Sequence, residues 1–299
     1  MHILITGGTG LIGRALCQHW LDAGHEVYVL SRRPHDVPEL CGESVHGLSR
    51  LSDYPAELAL DAVVNLAGEP IADKPWTAAR RKVLWDSRVS LTEQLIDWLA
   101  TREQKPEVLI SGSAVGWYGD TGDAQVDEKS APHSEDFAQQ LCTAWELAAS
   151  RAQTLGMRVV LLRTGLVLAP HGGVLARLLL PFKLGLGGPI GSGQQYMPWI
   201  HLDDEVALID TLINKTDAHG PYNACAPNPV TNQVFSRSLA RVLGRPAFLR
   251  VPAFALRTLL GELSVLMLGG QRVQPAKAQA LGYTFKHTDC EQALKQLLT

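Results

Sequence analysis

The feature that most constrains this chain is the run Gly7-Gly-Thr9-Gly10-Leu-Ile-Gly13. It lies between a β-branched stretch, Ile3-Leu-Ile5, and a segment in which Leu11, Ile12, Ala15, Leu16 and Trp20 recur at helical spacing. In a strand, turn and helix in that order, Gly7 permits the tight turn. Gly10 lets a pyrophosphate approach the backbone, and Gly13 lets the helix pack closely on the strand. The helix N-terminus adds N–H groups with no partner in their own helix, which suits an anion. The motif predicts a βα unit that holds the phosphates of a dinucleotide, with Thr9 on its rim.

The pattern continues through the first half of the chain. Val27-Tyr-Val-Leu30, Ala62-Val-Val-Asn65, Val108-Leu-Ile110 and Val159-Val-Leu-Leu162 read as buried strands, and a weaker run around Val45 supplies a third strand between the first two of these. Helical patterns near residues 11–23, 77–102 and 134–154 separate them. This alternation predicts an α/β fold, a doubly wound parallel sheet of Rossmann-like type with helices on both faces. From about residue 166 the texture changes to a glycine-rich stretch, Gly185-Leu-Gly-Gly-Pro-Ile-Gly-Ser-Gly193, followed by helical patterns near 203–214, 231–243, 253–267 and 290–298. We expect residues 1–165 with roughly 199–225 to form the dinucleotide-binding domain. Residues 166–198 with 226–299 would then form a smaller, mostly helical substrate lobe.

Composition excludes several functions. Twenty-seven basic residues against 30 acidic ones give a net charge of −3, which leaves no excess of positive charge to hold a phosphodiester backbone, so no nucleic-acid partner is expected. The five cysteines, Cys17, Cys41, Cys142, Cys225 and Cys290, include no close pair of the kind that frames a zinc or redox motif. No metal site is expected. No apolar run reaches the ~20 residues of a membrane span, and Met1–Thr6 is strand-like with no basic, apolar leader. We therefore expect a cytoplasmic protein with no membrane partner.

The end of the second strand bears on which dinucleotide is bound. Where an NAD binder usually places a carboxylate against the ribose 2′-hydroxyl, this chain has Ser31-Arg32-Arg33. A guanidinium grips a 2′-phosphate with charge-assisted hydrogen bonds, and a carboxylate would repel it. NADP is the expected cofactor, with Ser31 and Arg32 its nearest contacts there.

Together with the glycine motif, further motifs carry a resemblance. They include Asn65-Leu-Ala-Gly-Glu-Pro70, Trp76 with Ser87-Arg88, Ser111-Gly-Ser-Ala-Val-Gly-Trp-Tyr-Gly119, Trp145-Glu146 and Leu162-Arg-Thr-Gly165. The glycine loop from Leu184 to Gly193 and Trp199-Ile-His201 complete the set. In this order and spacing the chain resembles the extended branch of the short-chain dehydrogenase/reductase superfamily, the NAD(P)-dependent epimerase/dehydratase family, and within it the group called epimerase family proteins. The resemblance covers essentially the whole chain. It implies NADP contacts at Gly10, Leu11 and Ile12, at Ser31 and Arg32, at Leu66 and Ala67, at Arg88, and near Leu166. It also implies hydride transfer to or from a small-molecule substrate, as in an oxidoreductase or a nucleotide-sugar epimerase. The sequence leaves the oligomeric state open, and paired long helices in the superfamily allow a homodimer.

One departure stands out. Family members usually carry a tyrosine four residues before a lysine on the helix after the fifth strand, where the pair moves a proton as hydride moves. Here that helix reads Glu135-Asp-Phe-Ala-Gln-Gln-Leu-Cys142, with Phe137 and Leu141 at the spacing of the pair, and none of the six tyrosines has a lysine four residues on. The partner serine is present as Ser113, and Tyr118 is the tyrosine best placed by sequence to move the proton. Three readings follow: an NADP-dependent oxidoreductase or epimerase with reassigned proton transfer, a non-catalytic NADP(H)-binding sensor, and a scaffold. His201, between Ile200 and Leu202, reads as a hydrogen-bonded structural histidine. Gln194, Gln195 and Tyr196 are candidates to meet a substrate, and Arg163 is expected to orient that wall of the cleft through backbone carbonyls.

Overall fold

Ile3, Leu4 and Ile5 are all fully buried, as a strand covered on both faces requires. They lie in β1 (His2–Thr6), an interior strand of a seven-stranded, all-parallel sheet in a computed structural model that describes residues 1–299. The other strands are β2 (Glu26–Leu30), β3 (His46–Leu48), β4 (Ala62–Asn65), β5 (Val108–Ala114), β6 (Arg158–Thr164) and β7 (Gly220–Ala224). Their order across the sheet is β7-β6-β5-β4-β1-β2-β3. The order reverses between β1 and β4, which opens a crevice beyond their carboxyl ends.

The longer helices, in chain order, are α1 (Leu11–Asp22), α2 (Ala78–Trp85), α3 (Leu91–Thr101), α4 (Phe137–Ser150), α5 (Gly173–Lys183), α6 (Leu202–Asn214), α7 (Asn232–Val242), α8 (Ala253–Leu260) and α9 (Cys290–Leu298). Alternate strand residues divide the core. Ile3, Ile5, Val27, Val29 and Val64 pack with Leu16 and Trp20 of α1 and Leu208, Ile209 and Leu212 of α6. On the opposite face, Leu4, Val63, Leu109 and Val159 pack with Leu95 and Leu99 of α3 and Ala149 of α4. The period of two in the strands thus assigns each helix to its face.

A separate cluster joins the elements after β6. Leu175 and Phe182 of α5, Trp199, Phe235 and Leu239 of α7, and Ala293 and Leu294 of α9 form the core of the smaller lobe. Two differences from the sequence expectation matter. Helix α5 is an element the glycine-rich reading did not include, although Pro181 sits inside its last turn. The helical pattern at 253–267 breaks at Gly261, where φ is +56°, into α8, a 3-10 turn Gly261–Ser264 and a short helix Val265–Leu268. No helix is long and apolar enough to cross a membrane.

Candidate functional site

The glycine turn is built against β4. Gly7 has φ +74°, and a Cβ there would lie 2.7 Å from the carbonyl carbon and oxygen of Leu66. A Cβ on Gly13 would lie 2.4 Å from the Gly7 oxygen, so the first turn of α1 rests directly on the loop. Gly10 is different. It is exposed, caps α1 without a side chain, and its added Cβ would meet only the Gly7 oxygen, at 3.1 Å. Beyond it the N–H groups of Leu11, Ile12 and Gly13 make no hydrogen bond within the chain, whereas Arg14 N–H already reaches the Gly10 carbonyl. Three convergent donors at a helix N-terminus, lined by hydrogen instead of side chains, suit a pyrophosphate.

The structure brings the other residues expected to face a nucleotide to the same rim. Thr6 donates its hydroxyl to Asn65 Oδ1 at 2.7 Å and accepts from Ala67 N–H at 3.1 Å, which fixes the chain as it leaves β4. Asn65 Nδ2 in turn donates to Thr92 at 2.7 Å and Ser111 at 3.2 Å, and Trp145 Nε1 donates to Thr92 at 3.0 Å. This buried chain of hydrogen bonds ties the ends of β1, β4 and β5 to α3 and α4, so Leu66 and Ala67 are held by the protein before any ligand arrives.

Ser31 and Arg32 follow β2 on one side of this rim. Ser31 N–H donates to the Leu48 carbonyl, and its hydroxyl accepts from Arg33 N–H at 3.1 Å. The Arg32 side chain is 91% exposed and rests on Glu69, Nη1 to Oε1 2.8 Å, while Arg80 stands 3.5 Å from the other Glu69 oxygen. An exposed pair of this kind is worth well under 1 kcal/mol or little more, so Arg32 is free to turn to a stronger anion.

Arg88 lies across the crevice, in a single π-helical turn, Asp86–Ser90, between α2 and α3. Such turns shift side-chain direction, and here the guanidinium is carried under Gly68, whose Cβ would lie 2.8 Å from its central carbon. Arg88 donates to the Glu69 carbonyl at 3.0 Å and lies 5.5 Å from the Trp145 ring, with no carboxylate partner. Burial pushes its pKa down. A largely desolvated cation with no carboxylate in salt-bridge contact, Glu69 acting on it only from further off, is a group that an anion would complete. Leu166 begins the strand Leu166–Ala169 on the lobe side, its N–H donating to Pro198, and Gly172 just before α5 packs on the Leu11 side chain.

The residues singled out for proton transfer have a different setting. Ser113 donates its hydroxyl to Glu146 Oε1 at 2.7 Å. Arg163 holds both Glu146 oxygens, at 2.8 and 2.9 Å, and donates to the Tyr118 hydroxyl at 3.1 Å, which donates to Asn223 Oδ1 at 2.8 Å. Arg163 also stacks 3.5 Å from the Trp117 ring centre. Its partners are therefore side chains, and not the backbone carbonyls expected from sequence. Tyr118 is fully buried, and that burial pushes its hydroxyl up to about 12.

Elsewhere, His201 accepts Asp203 N–H at Nδ1, pairs through Nε2 with Gln296 at 2.7 Å, and stacks on His287. Burial pushes its pKa down, and the neighbouring His287 adds to this. Gln195 is engaged with the carbonyls of Ile190 and Met267. Tyr196 keeps its hydroxyl free of protein partners, and Arg272 lies over its ring at 5.2 Å. Sequence reasoning assigned no role to two groups, although Glu146 stood in one of the motifs that carry the resemblance. Glu146 is 17 residues from Arg163 on a different element, and Glu205 is a fully buried carboxyl held only by Thr164 at 2.9 Å.

The model of the NAD dependent epimerase/dehydratase family matches residues 3–225, and a domain of unknown function, DUF1731, matches residues 251–297. The chain is 37% identical to "Epimerase family protein YfhF" of Bacillus subtilis over 299 residues, all of this chain and 98% of that one. It is 41% identical over 294 residues to "Epimerase family protein Mb2239" of Mycobacterium bovis, which spans 98% of this chain and 96% of the relative. Among solved structures, the human epimerase family protein SDR39U1, crystallised with NADPH, superposes with a TM-score of 0.87 at 35% identity over 99% of both chains. The UDP-glucuronic acid 4-epimerase of Bacillus cereus shares the fold, with a TM-score of 0.78 at 17% identity over 99% of this chain and 97% of that one.

Proposed function

Because the chain belongs to the NAD-dependent epimerase/dehydratase family, we propose that it binds NADP(H) across the carboxyl ends of β1, β2 and β4. We further propose that it acts as an oxidoreductase or epimerase of that type on a small-molecule substrate. One observation carries the binding: three N–H groups at the start of α1 have no partner in the chain, and the Arg88 guanidinium, packed against Gly68 just after β4, has no carboxylate in salt-bridge contact. The human relative crystallised with NADPH supports the choice of dinucleotide, as does the placement of Ser31 and Arg32 where a 2′-phosphate would lie.

The bound dinucleotide supplies a hydride donor or acceptor at its nicotinamide ring. This chain's residues do the rest. Gly7, Gly10 and Gly13 keep the pyrophosphate path clear, Thr9 closes its edge, and Leu66 and Ala67 form the floor. Arg88 neutralises a phosphate, and Leu166 closes the lobe side. Ser113, whose hydrogen is committed to Glu146, offers its oxygen as an acceptor to a substrate hydroxyl. Tyr118 we assign to positioning. It links Arg163 to Asn223 of β7, and a hydroxyl held near 12 is poorly matched to proton transfer at neutral pH.

A second reading is favoured by that same network. Ser113, Glu146, Arg163 and Tyr118 satisfy one another, which suits a protein that binds NADP(H) and reports on it without turnover. One experiment separates the two. NADPH should raise the melting temperature in either case. If a panel of carbonyl compounds and nucleotide sugars causes loss of its near-ultraviolet absorbance, and Ser113→Ala abolishes that loss, the enzyme reading stands. A thermal shift with no turnover across the panel leaves the sensor.

A further inference from the structure

The lobe has a surface that the nucleotide site does not use. Leu184 and Leu186 lie on the glycine loop, and Phe248, Leu249 and Val251 on the segment beside it. The two are held together by Val251 N–H donating to Pro189 and Gly191 N–H donating to Val251, and by Gly188, whose Cβ would lie 2.0 Å from the Leu249 oxygen. The chain then runs into α8, none of whose eight residues is buried. Phe248, Phe254 and Leu259 are 72, 73 and 75% exposed. Single exposed apolar residues are ordinary, but so many on adjoining segments are not.

Charge distinguishes this surface further. Residues 166–202 and 226–261 contain seven of the chain's 27 basic residues and none of its 30 acidic ones, although the whole protein is negative. Lys183, Arg245, Arg250 and Arg257 are exposed and form no ion pair. Large apolar side chains interleaved with unpaired cations form the kind of surface that enters a lipid headgroup layer. A second copy of this chain would oppose arginine to arginine across a two-fold axis, which disfavours it as the occupant.

We propose that the apolar, basic face formed by the loop around Leu184 and Leu186, the segment Arg245–Pro252 and α8 docks on the surface of an anionic lipid bilayer. Contact is at the surface, since no helix can span. The expectation of no membrane partner rested on the absence of a spanning segment, and a contact at the surface needs none.

Flotation of the full chain with vesicles tests this, using phosphatidylglycerol and phosphatidylcholine in equal parts against phosphatidylcholine alone. The protein should float with the anionic vesicles, stay behind with the neutral ones, and be released by high salt. Combining Arg245→Gln, Arg250→Gln and Arg257→Gln should weaken binding on the order of a hundredfold. The pair Phe248→Ser and Phe254→Ser should also weaken it, with melting temperature and NADPH affinity unchanged in both variants because these side chains are exposed. Failure to float with anionic vesicles overturns the proposal, as does flotation that neither variant alters. Absence of flotation combined with a change of oligomeric state in the phenylalanine variant would instead assign this face to a second copy.

Discussion

Arg163 grips Glu146 through two nearly parallel hydrogen bonds, Nε to Oε1 at 2.8 Å and Nη2 to Oε2 at 2.9 Å, with both side chains almost wholly inside the protein. The pair joins β6 to α4 and organises Ser113 and Tyr118 around it. Removing one partner strands the other's charge in the interior. Glu146→Gln should therefore cost about 3 kcal/mol of stability or more. Replacing both by apolar residues of similar volume should cost less than the two single changes together, read by denaturant unfolding of the four proteins.

The glycines of the first turn separate by what a methyl group would meet. Gly13→Ala drives a Cβ to 2.4 Å from backbone that cannot yield, so it should lower the melting temperature and abolish NADPH binding. Gly10→Ala meets one oxygen at 3.1 Å and should fold close to normally, with its loss concentrated in nucleotide affinity. Thermal melts with and without NADPH distinguish the two.

Arg32 should set cofactor choice without setting stability. Its side chain is nearly all in solvent, so Arg32→Gln should leave the melting temperature unchanged. On the proposed binding mode the variant would lose a charge-assisted hydrogen bond to the 2′-phosphate, worth about 1.5–3 kcal/mol. NADPH affinity should fall by roughly tenfold or more and NADH affinity should not fall, as measured by fluorescence titration.

Glu205 gives stability an unusual pH dependence. Burial raises its carboxyl from 4.5 to about 8, so between those values the folded state keeps a proton that the unfolded chain has released. By linkage, the stabilising share present at acid pH is lost progressively as pH rises from about 4.5 towards 8, and no more is lost above that. Glu205→Gln should remove this slope and raise the melting temperature at pH 8 relative to the parent. A parent and variant that change in parallel with pH would refute this origin.

Much of the sheet was legible because buried parallel strands are written as uninterrupted β-branched runs, and Ile3-Leu-Ile5 could hardly have been read otherwise. β7 was harder. Gly220-Pro-Tyr-Asn-Ala224 reads locally as a turn, and only its position at the sheet edge allows Pro221 within a strand. α5 was hidden for a related reason, since glycines before it and Pro181 within it suppress the helical signal that packing of Leu175 and Phe182 then overrides.

The site divides in the same way. Its nucleotide rim is local, a turn and two strand ends, and spacing alone points to Gly7, Gly10, Gly13 and Arg32. The Ser113–Glu146–Arg163–Tyr118 network joins β5, α4, β6 and the turn after β5 through pairs that have no sequence spacing in common. Nothing in the sequence indicated that Tyr118 would lie fully inside the protein.

Isothermal titration of the purified protein with NADPH and, in parallel, NADH tests the central claim most directly. One saturable site is predicted, at least tenfold tighter for the phosphorylated dinucleotide and weakened in Arg88→Met. The absence of saturable heat with NADPH and with NADP⁺ alike would contradict the account.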